Sequence, residues 1–283
     1  MSQVKELIQQ AVKQLENSDS GLDSAVLDAQ VLLAHSLGVD RTWVITWSDK
    51  ELDEEQETEF RRLLNRRKQG EPIAYILGHR EFWGRDFLCN EHTLIPRPDT
   101  ERLVETVLGL NLSDQARVLD LGTGTGCIAL TLAAERPNWQ LVATDYSEET
   151  LKVAEKNKLV LGLGNVQFLK SDWYQSLSSD ASFDLIVANP PYIDPASHYL
   201  HEGDVRFEPD MALTSESQGL DALQTLISSA PKHLKKGGWL VVEHGFDQAA
   251  LVQQLFTDKG FQQIQLVQDL AGLDRCSFGC ICF

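Results

Sequence analysis

The chain has 283 residues, 42% hydrophobic and 24% charged, with 42 acidic against 25 basic side chains and a net charge of −17. That size suits one large domain plus a small one, and that balance describes an ordinary soluble protein. So acidic a surface repels polyanions, which argues against extended tracking along DNA or RNA. No apolar run reaches membrane-spanning length and no signal-peptide pattern opens the chain, so no membrane partner is expected and the cytoplasm is the expected compartment. The five cysteines, Cys89, Cys127, Cys276, Cys280 and Cys282, lack a C-x-x-C pair and read as buried thiols of a reducing compartment. The last three are expected on one face of a strand with no histidine beside them, so no metal site is expected.

In chain order, Val4, Leu7, Ile8, Ala11, Val12 and Leu15 fall at helical spacing. A second helix is expected over 24–37, stopped by Gly38, and another over 53–69, stopped by Gly70. Between them Trp43 and Trp47 share one face of a short helix and are expected in the core of a small bundle. The cations Arg61, Arg62, Arg66, Arg67 and Lys68 suit the end of the 53–69 helix and the acidic turn at its start; a docking patch for an acidic partner is the second reading. Residues 1–74, with no glycine loop or catalytic cluster, read as a helical recognition domain. Residues 75–95 shift to short extended runs around Gly84-Arg85-Asp86, a hairpin linker.

From 96 to 283 helices and strands alternate. Helices are expected over 99–110, 125–136, 147–161, 219–234 and 247–259. Strands are expected over 117–121, 140–144, 166–170, 183–188, 239–243, 262–267 and 275–282. This is an α/β, doubly wound, mostly parallel sheet, whose ligands gather beyond the carboxyl ends of the strands.

Two such ends carry chemistry. The loop Asp120-Leu121-Gly122-Thr123-Gly124-Thr125-Gly126 follows a strand and opens a helix, so its backbone can approach a ligand closely. Its G-x-G-x-G spacing differs from the pyrophosphate fingerprint. Asp145 ends the next strand, where a carboxylate can accept both hydroxyls of a ribose. The set fits a nucleoside without a pyrophosphate, such as S-adenosylmethionine. The second end is Asn189-Pro190-Pro191-Tyr192. The Asn189 side-chain carbonyl and the Pro190 carbonyl offer two acceptors for one planar NH2 group, held by fixed proline φ angles, and Tyr192 can cover its face.

With these pieces the chain resembles the class I S-adenosylmethionine-dependent methyltransferases, and more narrowly the HemK/PrmC family, which methylates glutamine N5 in peptide chain release factors. Gly78-His79-Arg80-Glu81-Phe82-Trp83, Leu94-Ile95-Pro96-Arg97-Pro98-Asp99-Thr100-Glu101, Ser171-Asp172-Trp173 and Gly203-Asp204-Val205-Arg206-Phe207-Glu208-Pro209 look like that family's blocks, in its order. The resemblance implies a seven-stranded methyltransferase sheet with an antiparallel edge. It implies that Gly122, Thr123, Gly124, Thr125 and Gly126 lie along the methionine tail of S-adenosylmethionine, that Asp145 holds the ribose, and that Asp172 and Trp173 flank the adenine. Asn189, Pro190, Pro191 and Tyr192 would bind the substrate amide, with Asn189 also near the cofactor. The implied substrate is the glutamine of a Gly-Gly-Gln loop in a release factor, with S-adenosylhomocysteine as product and no metal. A monomer without stable nucleic-acid binding is expected.

Arg97, Asp99, Glu101, Arg206 and Glu208 read either as surface ion pairs or as walls for the substrate loop. A methyltransferase acting on exocyclic amines of adenine or guanine stands as the alternative, since those too are conjugated NH2 groups; net charge argues against it. A nicotinamide-dependent dehydrogenase is disfavoured by the glycine spacing, and a non-catalytic scaffold by the completeness of the pocket.

Overall fold

A computed structural model describes residues 2–17 and 24–282. It divides into two compact units, one comprising the chain through His79 together with His198–Phe207, the other Arg80–Ser197 and Glu208–Phe283.

The first unit is helical: α1 (Val4–Glu16), α2 (Ala25–Leu37), α3 (Arg41–Thr46), α4 (Glu54–Lys68) and α5 (Ile73–Leu77). Each of α2 to α4 begins at a residue whose side chain takes a free backbone N–H: Ser24 from Leu27, Asp40 from Trp43, Asp53 from Gln56. Gly38 ends α2 in the left-handed region at φ 63°. Leu7 and Leu15 of α1, Leu32 and Leu33 of α2, and Phe60 and Leu63 of α4 fill its core. Two expectations are corrected. Trp43 packs half-buried against that core as expected, but Trp47 is 56% exposed, because α3 ends at Thr46 and Trp47 takes a non-helical φ of −102°. Tyr75–Leu77, expected to be extended, belong to α5, a turn too short to show helical periodicity.

The cations at the end of α4 are paired. Arg62 binds Glu59 at 2.7 Å and Arg66 binds Glu71. Arg67, 5% exposed, joins Asp28 and Asp204, each at 2.7 Å. Asp204 thereby fixes the distant segment His198–Phe207 to this unit. Arg206 lies over the Phe207 ring and against Gly70, where a Cβ would fall 2.1 Å from its guanidinium.

The chain enters the second unit within the hairpin of β1 (His79–Phe82) and β2 (Arg85–Leu88). There follow α6 (Glu101–Gly109), β3 (Arg117–Leu121), α7 (Cys127–Glu135), β4 (Gln140–Asp145), α8 (Glu148–Leu161), β5 (Val166–Lys170), β6 (Phe183–Ala188), α9 (Asp210–Leu213), α10 (Glu216–Gly219), α11 (Asp221–Ser229), β7 (Leu234–Glu243), α12 (Ala249–Asp258), β8 (Gln262–Gln268) and β9 (Asp274–Cys280). The seven-stranded sheet has the order β5-β4-β3-β6-β7-β9-β8, parallel except for β9, which runs antiparallel to both neighbours. Successive residues of a strand face opposite sides. Val118, Leu185, Val187 and Val241 accordingly pack with α6 and α7, while Leu119, Ile186, Ala188, Leu240 and Val242 pack with α11 and α12. Both faces are covered, which is why the central strands read as continuous apolar runs.

Strand β7 begins at Leu234, earlier than the expected 239. Phe183 pairs with Leu234 and Leu185 with Trp239, so the ladder resumes across an irregularity containing Gly237 at φ 78°. The cysteine expectation is also corrected: Cys282 lies beyond the end of β9 and is disulfide-bonded to Cys280, while Cys89 and Cys276 are buried free thiols and Cys127 is partly buried. Among the described residues no helix is long and apolar enough to cross a membrane.

Candidate active site

The strand order reverses direction between β3 and β6, where α/β sheets open a crevice at the carboxyl ends of the strands. A cavity of about 250 Å³ lies there, walled by the ends of β3, β4, β5 and β6 and by α9. Gly122 and Gly124, at φ 73° and 59°, turn the loop after β3. The Gly122 and Thr123 N–H groups donate to the Thr144 carbonyl, each at 2.9 Å, which ties the loop to β4. Gly122, Thr123, Gly124 and Thr125 face the cavity. Gly126 does not: at φ 82° it caps α7, and a Cβ there would come within 3.0 Å of Leu130 and 3.2 Å of Phe168. Its role is packing.

The Asp145 carboxylate faces the cavity from the end of β4. It accepts the N–H of Gly124 on one oxygen and of Ser147 on the other, each at 3.0 Å. Burial raises its pKa while those N–H groups and that of Tyr146 act against the rise. Asp120 sits behind the loop, off the cavity wall, and takes the Thr123 hydroxyl at 2.6 Å. Burial pushes its carboxyl up to about 7. Asp172 and Trp173 form another wall. Trp173 holds a left-handed φ of 48°, and its ring passes 3.5 Å from where a Cβ on Gly122 would lie. A Cβ would make only ordinary contact there; it is the φ of 73° that calls for glycine at 122.

Asn189 and Pro191 reach the cavity; Pro190 and Tyr192 do not. The Asn189 amide nitrogen donates to the Thr100 hydroxyl oxygen at 3.1 Å, and its Oδ1 carries no hydrogen bond among the described residues. Tyr192, expected to cover a substrate, instead points inward and donates its hydroxyl to Glu243 at 3.1 Å. A buried carboxylate at the end of β7 draws that hydroxyl, because it must find donors inside the protein. The backbone of the tetrapeptide is clamped as well. Gln248 donates to the Tyr192 carbonyl at 3.0 Å, and Gly219, at φ 80°, passes so close that a Cβ would lie 2.0 Å from the same oxygen. Asp194 closes the following turn by accepting the Ala196 N–H at 2.8 Å.

The other flagged charges brace these walls. Glu208 is buried, not a surface partner: it accepts the Ile95 N–H at 2.9 Å and binds the Arg97 guanidinium. Glu101 takes the Trp83 N–H at 2.8 Å, and Asp99 lies 3.7 Å from Arg275. None of them faces the cavity. Sequence reasoning missed His92 to Leu94, Tyr146, Met211 and Ala212 on the wall, and Thr100, Gly219, Glu243 and Gln248 behind it. Thr100 lay inside a flagged block and Glu243 ended an expected strand, but a glutamate or threonine in such a place has no signature until its neighbours are known.

Two family models match the chain: the PrmC N-terminal domain over residues 6–78 and a methyltransferase domain over residues 112–274. Among curated proteins, the chain is 46% identical to a release factor glutamine methyltransferase of Shewanella oneidensis, over 98% of this chain and 95% of that protein. It is 44% identical to the one of Vibrio cholerae, over 98% and 96%, and 47% identical to the one of Pseudomonas aeruginosa, over 90% and 92%. Solved structures share the fold at lower identity. A 16S rRNA methyltransferase of T. thermophilus with AdoMet and guanosine superposes with a TM-score of 0.54 at 21% identity, over 71% of this chain and 49% of that one. A methyltransferase from Pyrococcus furiosus gives 0.54 at 17%, over 71% and 91%.

Proposed function

The chain belongs to the release factor glutamine methyltransferases, and from that premise we propose that it methylates the side-chain amide of a glutamine in peptide chain release factors through the cavity at the β3–β6 switch. The pocket residues fit S-adenosylmethionine. Asp145 keeps lone pairs on both carboxylate oxygens for a ribose, the Gly122–Trp173 slot is flat and apolar on one side, and the glycine turn leaves backbone open to a tail. When bound, the cofactor supplies an electrophilic methyl group and leaves as S-adenosylhomocysteine.

The observation that carries the reading is Asn189. Its NH2 is committed to Thr100, so its Oδ1 is free to accept from another NH2. An amide nitrogen is a poor nucleophile because its lone pair is delocalised into the carbonyl. Asn189 Oδ1 would fix one of the two hydrogens and so turn the lone pair toward the glycine loop; the Pro190 carbonyl, expected as a second acceptor, lies off the cavity wall. Positioning and preorganised dipoles then supply the acceleration. Methyl transfer leaves the amide as an N-protonated cation, a strong acid that loses its proton to water to give the neutral N-methylamide, so no general base is assigned. Release factors act in translation, and on that ground we assign the reaction to the cytoplasm.

Two tests follow. With methyl-labelled S-adenosylmethionine, label should enter an intact release factor and map by mass spectrometry to one glutamine, and it should not enter duplex DNA or ribosomal RNA, because the −17 charge opposes polyanions. Comparable turnover on nucleic acid alone would overturn the reading. Asp145→Ala should weaken S-adenosylmethionine binding by roughly 1.5–3 kcal/mol, the cost of losing hydrogen bonds to a charged acceptor. Calorimetry on the folded variant measures it; unchanged affinity removes Asp145 from the ribose site.

A further inference from the structure

A carboxamide presents an oxygen and a nitrogen of nearly equal shape, and only the direction of its hydrogen bonds distinguishes them. At Asn189 that distinction is decisive, because Oδ1 toward the cavity attracts a substrate NH2 and Nδ2 toward the cavity repels it. The partner on the inner side, Thr100, does not settle the matter alone. Its hydroxyl can accept from Nδ2 or donate to Oδ1.

Glu243, 1% exposed, ends β7 one residue past Val242, the register partner of Ala188, and so lies beside Asn189. Its Oε1 accepts the Tyr192 hydroxyl at 3.1 Å, and Oε2 has no hydrogen-bonding partner at bonding geometry. The Thr100 hydroxyl is close enough to favour the charged form of this carboxyl. We propose that Glu243 is a positioning residue that sets the polarity of Asn189: it accepts the single Thr100 hydrogen, which compels the Thr100 oxygen to accept from Asn189 and turns Oδ1 to the cavity. The inference rests on the glutamine-methylation reading and adds to it a residue outside the cavity wall.

The groups around Glu243 decide which form is productive. Tyr192 and Thr100 supply hydroxyls, and Arg275 on β9 supplies a cation that is shared with Asp269 at 2.9 Å and Asp99 at 3.7 Å. Cys276, its register partner on β9, and Cys127 at the start of α7 are both pushed up by burial and stay neutral thiols. His244, pushed down by burial, is bonded to the Gly245 carbonyl and to Ser277. Burial raises the Glu243 carboxyl to about 7, with Thr100, Arg275 and Tyr192 acting against the rise. A carboxylate can only accept, whereas a protonated carboxyl can donate to Thr100 and release the constraint. Activity should therefore be present above about 7 and be lost as pH falls through it.

The test is kcat on an intact release factor at saturating S-adenosylmethionine, which removes any effect of Asp120 on cofactor binding, while the Glu243 and Thr100 variants, which leave Asp120 in place, assign the limb that remains. Wild-type kcat should fall toward tenfold per pH unit below about 7. Glu243→Gln, whose amide can donate to Thr100, should lower kcat at least about tenfold, leave calorimetric cofactor affinity unchanged and abolish that pH limb. Thr100→Val should do the same, Thr100→Ser should keep wild-type kcat, and the double variant should be no worse than either single one. If wild type does not methylate the factor, the functional reading fails. If wild type does and Thr100→Val keeps both its rate and its pH limb, or if the two losses add, the relay is overturned; the threonine variants decide the matter even where Glu243→Gln does not fold.

Discussion

Asn189→Ala is expected to lower kcat on a release factor by about 10²–10³, the usual effect of deleting one preorganised polar contact at a reacting group. The variant removes Oδ1 from the cavity wall but leaves the glycine turn, Asp145 and the Trp173 slot in place. It also leaves the Thr100 hydroxyl one donor short, at a residue off the cavity wall. Cofactor affinity by calorimetry should accordingly stay within a few-fold of wild type, and single-turnover rates at saturating cofactor should carry the whole effect. Near-wild-type methyl transfer would falsify the orientation mechanism and reduce the tetrapeptide to a strand-ending loop.

Gly219→Ala is expected to be damaging both to stability and to turnover, although residue 219 is absent from the cavity wall. At φ 80° a side chain costs about 1–2 kcal/mol in backbone strain. In addition the new Cβ would lie 2.0 Å from the Tyr192 carbonyl and 2.8 Å from the Gln248 amide nitrogen, so the backbone must move and the Gln248–Tyr192 hydrogen bond must break or lengthen. A total loss of at least about 2–3 kcal/mol, read as a lower urea midpoint at unchanged m, is the expected stability effect. Because the displaced carbonyl belongs to the residue three after Asn189, kcat should fall at least about tenfold through misplacement of Asn189. A variant with the wild-type urea midpoint and rate would show that the loop tolerates the shift and that the clamp is incidental.

Much of the second unit was legible in the sequence because its signals are local. Apolar runs at 117–121 and 183–188 match β3 and β6 at both ends, since strands buried on both faces need no partner information to be recognised, and the expected 166–170 also matches β5, an edge strand with Gln167 and Lys170 exposed. Gly38 did the same for the end of α2. The short or irregular pieces were less readable. Helix α5 is one turn, β7 begins before a bulge, and Trp47 falls just past the end of α3, where a pattern four residues long cannot distinguish a buried face from an exposed one.

The sequence by itself determined the doubly wound sheet, the glycine turn with Asp145, and the Asn-Pro-Pro-Tyr tetrapeptide after β6, because each is written in contiguous residues whose backbone demands are met locally. Only the tertiary structure decided what those residues face. It turned Tyr192 away from the cavity toward Glu243, 51 residues on. It buried Glu208 under Ile95 and Arg97, and it joined Asn189 to Thr100 across 89 residues. Such pairs arise because an unmatched buried polar group is costly wherever it lies along the chain, and the fold alone determines which distant donor meets which acceptor.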